Sequence, residues 1–364
     1  SFFQPEQSIE FKEFYYQARF VTGLIFFPTV CVLGMIGNIL GIIVMCQKQM
    51  RSSTNIYLLS LAISDCIKIL SDVLYFLVIL LLEVDPTTGN KALGFVYPYA
   101  HYIFNASLCV SAWLTVSVAF ERYIYVCHPT RVKRLCSISR AKTISTTVFV
   151  IMMVFSVPYA MRYKTIETLQ NNTQSISYDL RLTELWTNET FARTFNWLHY
   201  FVRSIIPLFL LIILNTCILY GIRRCRLGRR KHRITVMLIV VIIVFLICIV
   251  PDAIMSTCLG LGYYEESYLA RGIREITDLL LLINTGVNFI IYCIFNTIFW
   301  RNFQELFCPC CISPGFYIED SNVRRLSLIA RGVNQLLSAL LFHFILITKN
   351  YASEIITSYI LNDV

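Results

Sequence analysis

Residues 21–46 read VTGLIFFPTVCVLGMIGNILGIIVMC, an apolar stretch without a single charged side chain. A bilayer core about 30 Å thick needs roughly 20 apolar residues per helix. Lipid cannot satisfy an exposed backbone, so this stretch predicts a membrane-spanning helix. Six more apolar segments follow, at 56–82, 97–126, 143–160, 198–222, 234–261 and 273–300. The sequence therefore predicts an all-α membrane protein, folded as a seven-transmembrane helix bundle.

The composition of the whole chain agrees with a membrane protein. Of its 364 residues, 57% are hydrophobic and 15% are charged, whereas soluble domains carry about 25% charged residues. A water-soluble globule is therefore excluded, and the aliphatic and aromatic content excludes disorder. The net charge of +9 favours membrane lipid as a partner, and no nucleic acid is expected.

The loops differ in charge, and this difference predicts the orientation in the membrane. Basic residues concentrate in loops one, three and five, most densely at 223–233, while the other loops balance fewer bases with acids. Cytoplasmic loops carry the excess of Lys and Arg, so the N-terminus is expected outside the plasma membrane and the C-terminus in the cytoplasm. Two N-glycosylation acceptors, Asn171 and Asn188, lie in the predicted external loop four.

Polar side chains inside the apolar segments predict an internal network. Asp65 lies deep in the second segment, where a carboxylate needs a partner. Side chains on other segments could complete a site for a small hard cation: Ser111, Asn284 and Asn288. A purely structural hydrogen-bond network is the alternative. Lys68 lies between Asp65 and Asp72 at helical spacing, so the three could neutralise one another, and the ammonium could replace the ion.

An ordered set of motifs, one per segment, carries a family resemblance. The motifs are Gly37-Asn38, 61–65 (LAISD), Glu121-Arg122-Tyr123, Pro207, Phe245 with Pro251, and 288–292 (NFIIY). The chain resembles a rhodopsin-like (class A) G-protein-coupled receptor over residues 21–307. The pattern at 282–289 is similar to that of invertebrate FMRFamide-type neuropeptide receptors and related orphan receptors.

The resemblance implies a receptor that is not an enzyme, with a heterotrimeric G protein and an extracellular peptide as partners. Arg122 would hold the inactive state through Glu121 and engage the G protein after activation, and Tyr292 would swing inward. The implied activation set is Glu121, Arg122, Tyr123, Phe245, Pro251, Asn288 and Tyr292. Asp65, Ser111, Asn284 and Asn288 would line a sodium pocket, and no other cofactor is expected.

Several positions depart from the family pattern. Tyr97 stands where the family has a cysteine, and residues 162–197 contain no cysteine. We therefore expect no disulfide there, with loop four held by packing or left mobile. Ile249 stands where the family has a tryptophan before the proline of the sixth segment, so the aromatic switch residue is absent. Phe289 replaces the proline of the motif in the seventh segment, and Lys231 replaces an acid at the foot of the sixth segment. Elevated basal activity is the expected consequence.

Candidate ligand contacts lie in the outer halves of the segments. They are His101, Phe104, Asn105, His199, Arg203, Asp252, Met255, Glu275 and Asp278. Phe104 stands where amine receptors have Asp, which disfavours a biogenic amine. Arg203 and Asp252 could form a buried pair or contact the ligand directly. Glu275 and Asp278 could bind a basic peptide terminus, or they could be solvated.

The predicted organisation has four parts. Residues 1–20 form an extracellular N-terminus, 21–300 the receptor domain, 301–311 an amphipathic eighth helix with a cysteine cluster, and 312–364 a cytoplasmic tail. The eighth helix is suited to lie on the inner membrane surface. Palmitoylation or free thiols are the alternatives for three juxtamembrane cysteines: Cys308, Cys310 and Cys311.

Other functions fit the sequence less well. Intramembrane catalysis needs metal ligands or paired catalytic groups, and no His/Glu cluster with ligand spacing is present. A channel or transporter is disfavoured because no internal repeat is apparent. A divergent chemosensory receptor for a small molecule is the main alternative to a neuropeptide receptor.

Overall fold

The structure is a computed structural model that describes residues 5–169, 176–224, 229–258 and 268–307. Seven spans form the bundle, which confirms the predicted all-α fold, with one added β-hairpin. Span 1 is Pro5–Ala18, Arg19–Phe26 and Phe27–Met45, span 2 Ser53–Val84, span 3 Pro86–Cys127, span 4 Ile138–Phe155, span 5 Glu189–Tyr200, Phe201–Ile205 and Ile206–Arg224, span 6 Arg229–Cys258, and span 7 Tyr268–Gly286 and Asn288–Phe295. The eighth helix is Thr297–Phe307, and the hairpin strands are β1 (Tyr163–Leu169) and β2 (Ile176–Leu182).

The connections contain short helices. These are Lys48–Met50, Pro129–Arg131, Val132–Leu135, Val157–Ala160 and Glu184–Thr187. The two hairpin strands are antiparallel, with Tyr163 opposite Leu182 and Leu169 opposite Ile176.

Helix caps, rather than the ends of the apolar segments, set several boundaries. Span 3 begins at Pro86 instead of 97, because the Asp85 carboxylate accepts hydrogen bonds from the first turn. Bonds from Thr87 and Thr88 lower the pKa of the Asp85 carboxyl to about 2. Span 5 begins at Glu189 instead of 198, because Asn188 caps it in the same way.

The predicted end of the seventh segment at 300 and start of the eighth helix at 301 need correction. Span 7 ends at Phe295, and the eighth helix begins at Thr297. The side chain of Asn296 accepts hydrogen bonds from the amides of Ile298 and Phe299 and so starts a new helix within the apolar run.

The described helices differ in whether they are long and apolar enough to cross a membrane. Four qualify directly, and the two halves of span 7, bent by 41°, make a fifth. Span 2 carries three ionisable residues in its middle, Asp65, Lys68 and Asp72, which a bilayer penalises unless they face protein. The part of span 6 whose side chains the structure describes, Ile239–Met255, is apolar. Span 2 can lie in the bundle because those three ionisable residues are buried against protein.

Prolines locally widen two spans. The π-helical turns Arg19–Phe26 and Phe201–Ile205 come just before Pro28 and Pro207. Proline has no N–H to donate and its ring clashes with the preceding turn, so the helix widens there.

Span 3 forms the centre of the bundle and contacts spans 2, 4, 5 and 6. Its small and apolar residues, such as Ala112 and Ala119, pack against Leu211, Phe245 and Ile249. Spans 1 and 7 approach closely, because a Cβ on Gly34 would lie 3.1 Å from the Cα of Gly286. Small residues allow this approach where lipid supplies no hydrophobic drive between helices.

Candidate functional site

A buried ion pair joins spans 5 and 6 in the outer half of the bundle. The Arg203 Nη2 lies 2.5 Å from Asp252 Oδ2, with the side chains 12% and 7% exposed. One turn before Arg203, the Tyr200 hydroxyl donates to the backbone carbonyl of Ala253. This confirms the predicted pairing, and Met255 lies half-buried one turn beyond Asp252.

His199 is satisfied inside the protein. Its ring stacks on Phe155 at 5.5 Å and meets the edge of Tyr159 at 4.7 Å. Its Nε2 lies 3.3 Å from Cys109 Sγ and 3.3 Å from Ser156 Oγ. With 1% of its surface exposed, His199 holds spans 3, 4 and 5 together.

His101 lies at the outer end of span 3, among aromatic rings. Its ring centroid is 5.2 Å from Tyr159 and 5.7 Å from Tyr163. Asn105 donates to the His101 backbone carbonyl at 2.9 Å. Among the described residues, His101 Nδ1 is buried without a hydrogen-bond partner. Its Nδ1 is therefore available to bind a polar group near the outer end of span 3.

The charges of span 2 divide into two contacts instead of a triad. Lys68 Nζ lies 2.6 Å from Asp72 Oδ2 and 4.9 Å from the ring centroid of Phe104. Asp65 instead accepts a hydrogen bond of 2.9 Å from Asn288 on span 7. Lys68 thus bonds directly only with Asp72, while it also attracts the Asp65 carboxylate electrostatically.

The predicted cation site has buried oxygen donors on three spans. Asp65, Ser111, Asn284 and Asn288 are each at most 8% exposed. Carboxylate, hydroxyl and amide oxygens suit a hard cation, and Lys68 is engaged by Asp72. The described residues contain no cluster of three His, Cys, Asp or Glu side chains that could hold a metal. Asn38, nearby, donates to the backbone carbonyls of Gly34 and Thr285.

The outer acids of span 7 each lie near a cation. Asp278 Oδ2 lies 3.6 Å from Arg274 Nε, with the two side chains 35% and 40% exposed. Asp278 also interacts electrostatically with Asp252 and Lys68. Charged side chains of spans 2, 6 and 7 thus lie near one another in the outer half of the bundle, a region that we call the outer pocket. Glu275 is half-buried beside span 1.

A polar network closes the cytoplasmic end. Arg122 Nη2 lies 3.3 Å from Glu121 Oε2 and also donates to the Thr54 hydroxyl on span 2. The Ser53 hydroxyl donates to Glu121, and the Arg122 guanidinium lies 4.4 Å from the Tyr125 ring centroid. Arg122 is thus held against span 2 by Thr54 and by its neighbour Glu121.

A cavity of 390 Å³ lies beside this network. It reaches Glu121 and is bounded by spans 2, 3 and 4 and the loop after span 3, with Tyr57, Phe120, Leu135 and Ile144 among its lining residues. On the other side, Tyr292 is 2% exposed, its hydroxyl has no partner among the described residues, and its ring lies 5.7 Å from Phe299. Free volume and an unsatisfied hydroxyl therefore both lie at the cytoplasmic end.

The family is decided by comparison with known sequences. The profile of the family described as "7 transmembrane receptor (rhodopsin family)" matches residues 37–292, which include both the Asp65–Asn288 contact and the Glu121–Arg122 network.

This chain is a rhodopsin-family receptor.

Relatives of the receptor agree with this assignment. The FMRFamide receptor of Drosophila melanogaster is 32% identical over 296 residues, which cover 76% of this chain and 52% of that protein. The sex peptide receptor of D. melanogaster is 25% identical, and the match covers 77% of this chain and 71% of that protein. The QRFP-like peptide receptor of Branchiostoma floridae is 26% identical, and the match covers 79% of this chain and 78% of that protein. The match thus spans about half the length of the FMRFamide receptor. The receptor is a multi-pass membrane protein of the G-protein-coupled class.

The docking of the β-hairpin was the main feature that sequence reasoning missed. Tyr97 meets Tyr163 edge-on at 5.1 Å, and the Thr165 hydroxyl donates to the Gly94 carbonyl at 2.7 Å. A Cβ on Gly94 would lie 2.7 Å from Thr165, so this glycine is needed for the approach. Loop four is therefore held by packing where its family has a disulfide, and the nine cysteines whose side chains the structure describes are free.

Another missed contact lies at the inner end of span 7. Phe289, which replaces the usual proline, packs its ring on Phe299 and Phe303. A Cβ on Gly37 would lie 3.1 Å from the Cβ of Phe289. The aromatic residue thus links the receptor's first span to its eighth helix.

Some predicted sites fall outside the described part of the receptor. Asn171 lies in 170–175, and the lipidation candidates lie beyond residue 307: Cys308, Cys310 and Cys311. The side chains of 222–238, which include Lys231, are also outside the description. Asn188 is exposed, and its Oδ1 accepts the amides of Thr190 and Phe191.

Proposed function

We propose that the receptor binds an extracellular peptide and passes the signal to a heterotrimeric G protein across the plasma membrane. Its N-terminus lies outside and its C-terminus in the cytoplasm. The names of three relatives support a peptide ligand: an FMRFamide receptor, a sex peptide receptor and a QRFP-like peptide receptor.

The charges of the outer pocket carry the proposal for the ligand. Asp252 is tightly paired with Arg203, whereas Asp278 has a longer, half-exposed contact with Arg274. Asp278 and Glu275 are therefore the carboxylates that a basic side chain of a peptide reaches. Phe104 offers a ring in place of an acid and already lies against the Lys68 ammonium, so this position supplies no carboxylate for a ligand amine.

The mechanism is a shift of population between two arrangements of the bundle. A ligand that binds the active arrangement more tightly favours it, and the G protein raises ligand affinity by the same factor. Release of Arg122 from Glu121 and Thr54 is the step at the cytoplasmic end. A sodium ion held by Asp65, Ser111, Asn284 and Asn288 would supply counter-charge to Asp65 in the resting arrangement.

A peptide screen tests this function. Cells expressing the full chain receive amidated basic peptides, with FMRFamide as the first probe, together with their free-acid forms, and a second-messenger response is measured. We expect amidated peptides to act and Asp278→Asn to lower their potency about tenfold, as for the loss of one charged contact. Asp179→Asn, an exposed hairpin acid paired with Arg181, is the matched control. A response to small volatile or apolar molecules but to no peptide would favour the chemosensory alternative.

The topology can be tested through the sequons. Thr190→Ala destroys the acceptor at Asn188 but leaves the Asn188 cap on span 5, whereas Asn188→Ala removes both. A glycan that disappears in both variants places this loop outside. Glycan on neither Asn171 nor Asn188, together with antibody access to the tail in intact cells, contradicts the proposed orientation.

A further inference from the structure

The first helix continues well beyond the length that a bilayer requires. Phe11–Met45 is one continuous helix of 35 residues, whereas about 20 residues cross the hydrocarbon core. Its outer part packs against the outer end of span 7, where Tyr15 and Tyr268 lie 5.9 Å apart. A Cβ on Gly272 would lie 2.5 Å from the ring of Phe14, so a glycine is needed for this contact.

The same face of the first helix carries Arg19 next to Glu275. A Cβ placed on Gly23 would lie 3.1 Å from Glu275 Oε2 and 3.8 Å from Arg19 Cγ. The Glu275 carboxylate therefore fills the space that the missing side chain of Gly23 leaves, one helical turn from Arg19. The two side chains also attract each other electrostatically.

The two acids of span 7 share one cation and differ in a second. Asp278 lies near Arg274 of its own helix, which moves with it. Glu275 is also attracted by Arg274, but it lies next to Arg19, which belongs to the first helix and is positioned by the packing of Phe14 and Tyr15. A motion between spans 1 and 7 would therefore change the second contact but not the first.

We propose that Arg19 is a tethered cation that occupies the Glu275 end of the outer pocket and lowers the receptor's affinity for basic ligands. A ligand guanidinium reaches Glu275 only by displacing Arg19. Arg19 is therefore a specificity-determining residue, because a neutral ligand does not compete with it. The inference rests on the proposed function only for the identity of the natural ligand.

The contact itself can be tested without any ligand. Thermal unfolding midpoints of the purified full chain are measured for Arg19→Gln, Glu275→Gln and the double variant. Paired residues are coupled, so we expect the double variant to lose less than the sum of the two single losses. Lys12→Gln, on the exposed face of the same helix, is the control and should add independently to Glu275→Gln. Additive effects of Arg19→Gln and Glu275→Gln would overturn the proposal.

Competition is tested with arginine amide, a minimal amidated cation, and citrulline amide, its neutral counterpart. A ligand that binds the folded state raises the unfolding midpoint. We expect half of the maximal rise at a concentration about fivefold lower in Arg19→Gln than in the wild type, as for the loss of one half-exposed competing charge. Citrulline amide should show no such gain, and Arg19→Lys should behave like the wild type.

Three results would contradict the proposed competition between Arg19 and a ligand cation. They are an unchanged or weaker response of Arg19→Gln to arginine amide, an equal gain with citrulline amide, and no rise in either protein. A failure of the peptide screen with an intact coupling and competition result would reject the peptide ligand but not the role of Arg19. The two failures are therefore distinguishable.

Discussion

The outer and cytoplasmic ends of the bundle are stabilised in different ways. At the outer end, single contacts join residues far apart in the chain: Arg203 with Asp252, Tyr97 with Tyr163, and Thr165 with Gly94. At the cytoplasmic end, two neighbouring residues of span 3 meet two neighbouring residues of span 2, as Glu121 and Arg122 bind Ser53 and Thr54.

The difference shows where the receptor tolerates change. Neighbouring polar residues at the cytoplasmic end share one network, so the loss of one member leaves the others bound. The outer end depends on separate contacts, and the loss of one leaves a buried group without its main partner. We therefore expect the loss of the buried ion pair at the outer end to cost the most stability, and substitutions at the cytoplasmic end to change signalling first.

The largest expected effect is that of Arg203→Ala. It deprives the Asp252 carboxylate, 7% exposed, of its guanidinium, and the loss of one partner from a buried pair costs about 3–5 kcal/mol in the free energy of unfolding. Unfolding of the purified receptor in detergent measures this loss. Arg274→Ala is the control, because its pair with Asp278 is 3.6 Å long and half-exposed and should cost at most about 1 kcal/mol.

Removal of both charges sharpens the same comparison. Arg203→Met combined with Asp252→Leu should recover most of the lost stability, because replacing a buried pair with apolar groups is often neutral. A loss in Arg203→Ala no larger than that in Arg274→Ala would show that the outer pair contributes no more than a surface pair.

An intermediate effect is expected from Ser53→Ala at the cytoplasmic end. The substitution removes the hydroxyl donor to Glu121, and a buried hydrogen bond to a charged group contributes about 1.5–3 kcal/mol. Because Glu121 holds Arg122, ligand-independent second-messenger production should also rise. Ser117→Ala is the control, since the Ser117 hydroxyl donates only to the Trp113 carbonyl of its own helix. Equal basal signalling in both variants at matched surface levels would remove Ser53 from the network.

The smallest expected effect concerns the hairpin. Tyr163→Ala removes the edge-on contact with Tyr97, and aromatic pairs contribute about 0.5–1.5 kcal/mol beyond their buried area. The thermal unfolding midpoint should therefore fall slightly. Tyr99 lies on span 3 like Tyr97 but is 65% exposed, so Tyr99→Ala should not change the midpoint. Dithiothreitol should leave the wild-type midpoint unchanged. A fall with dithiothreitol would indicate a covalent contribution that the free cysteines of the described residues do not provide.

Some of the site could be predicted because it depends on spacing along one helix or on motifs matched between helices. The pairing of Arg203 with Asp252 was one of two alternatives, because Arg203 lies one turn before Pro207 and Asp252 directly follows Pro251. The partner of Lys68 was left open, since Asp65 and Asp72 are both at helical spacing from it, and only side-chain direction decides between them. The starts of spans 3 and 5 were predicted too late, because polar caps at Asp85 and Asn188 extend the helices beyond the apolar residues.

The sequence by itself determined the number of spans, their expected orientation and the family motifs, because hydrophobicity and loop charge are sums over single residues. Only the tertiary structure decided that Lys68 binds Asp72, that Tyr97 and Tyr163 hold the hairpin, and that Arg19 lies beside Glu275. Such contacts join distant residues, and they form only when packing brings side-chain atoms within a few ångströms of each other. A few glycines, such as Gly23 and Gly94, make that approach sterically possible.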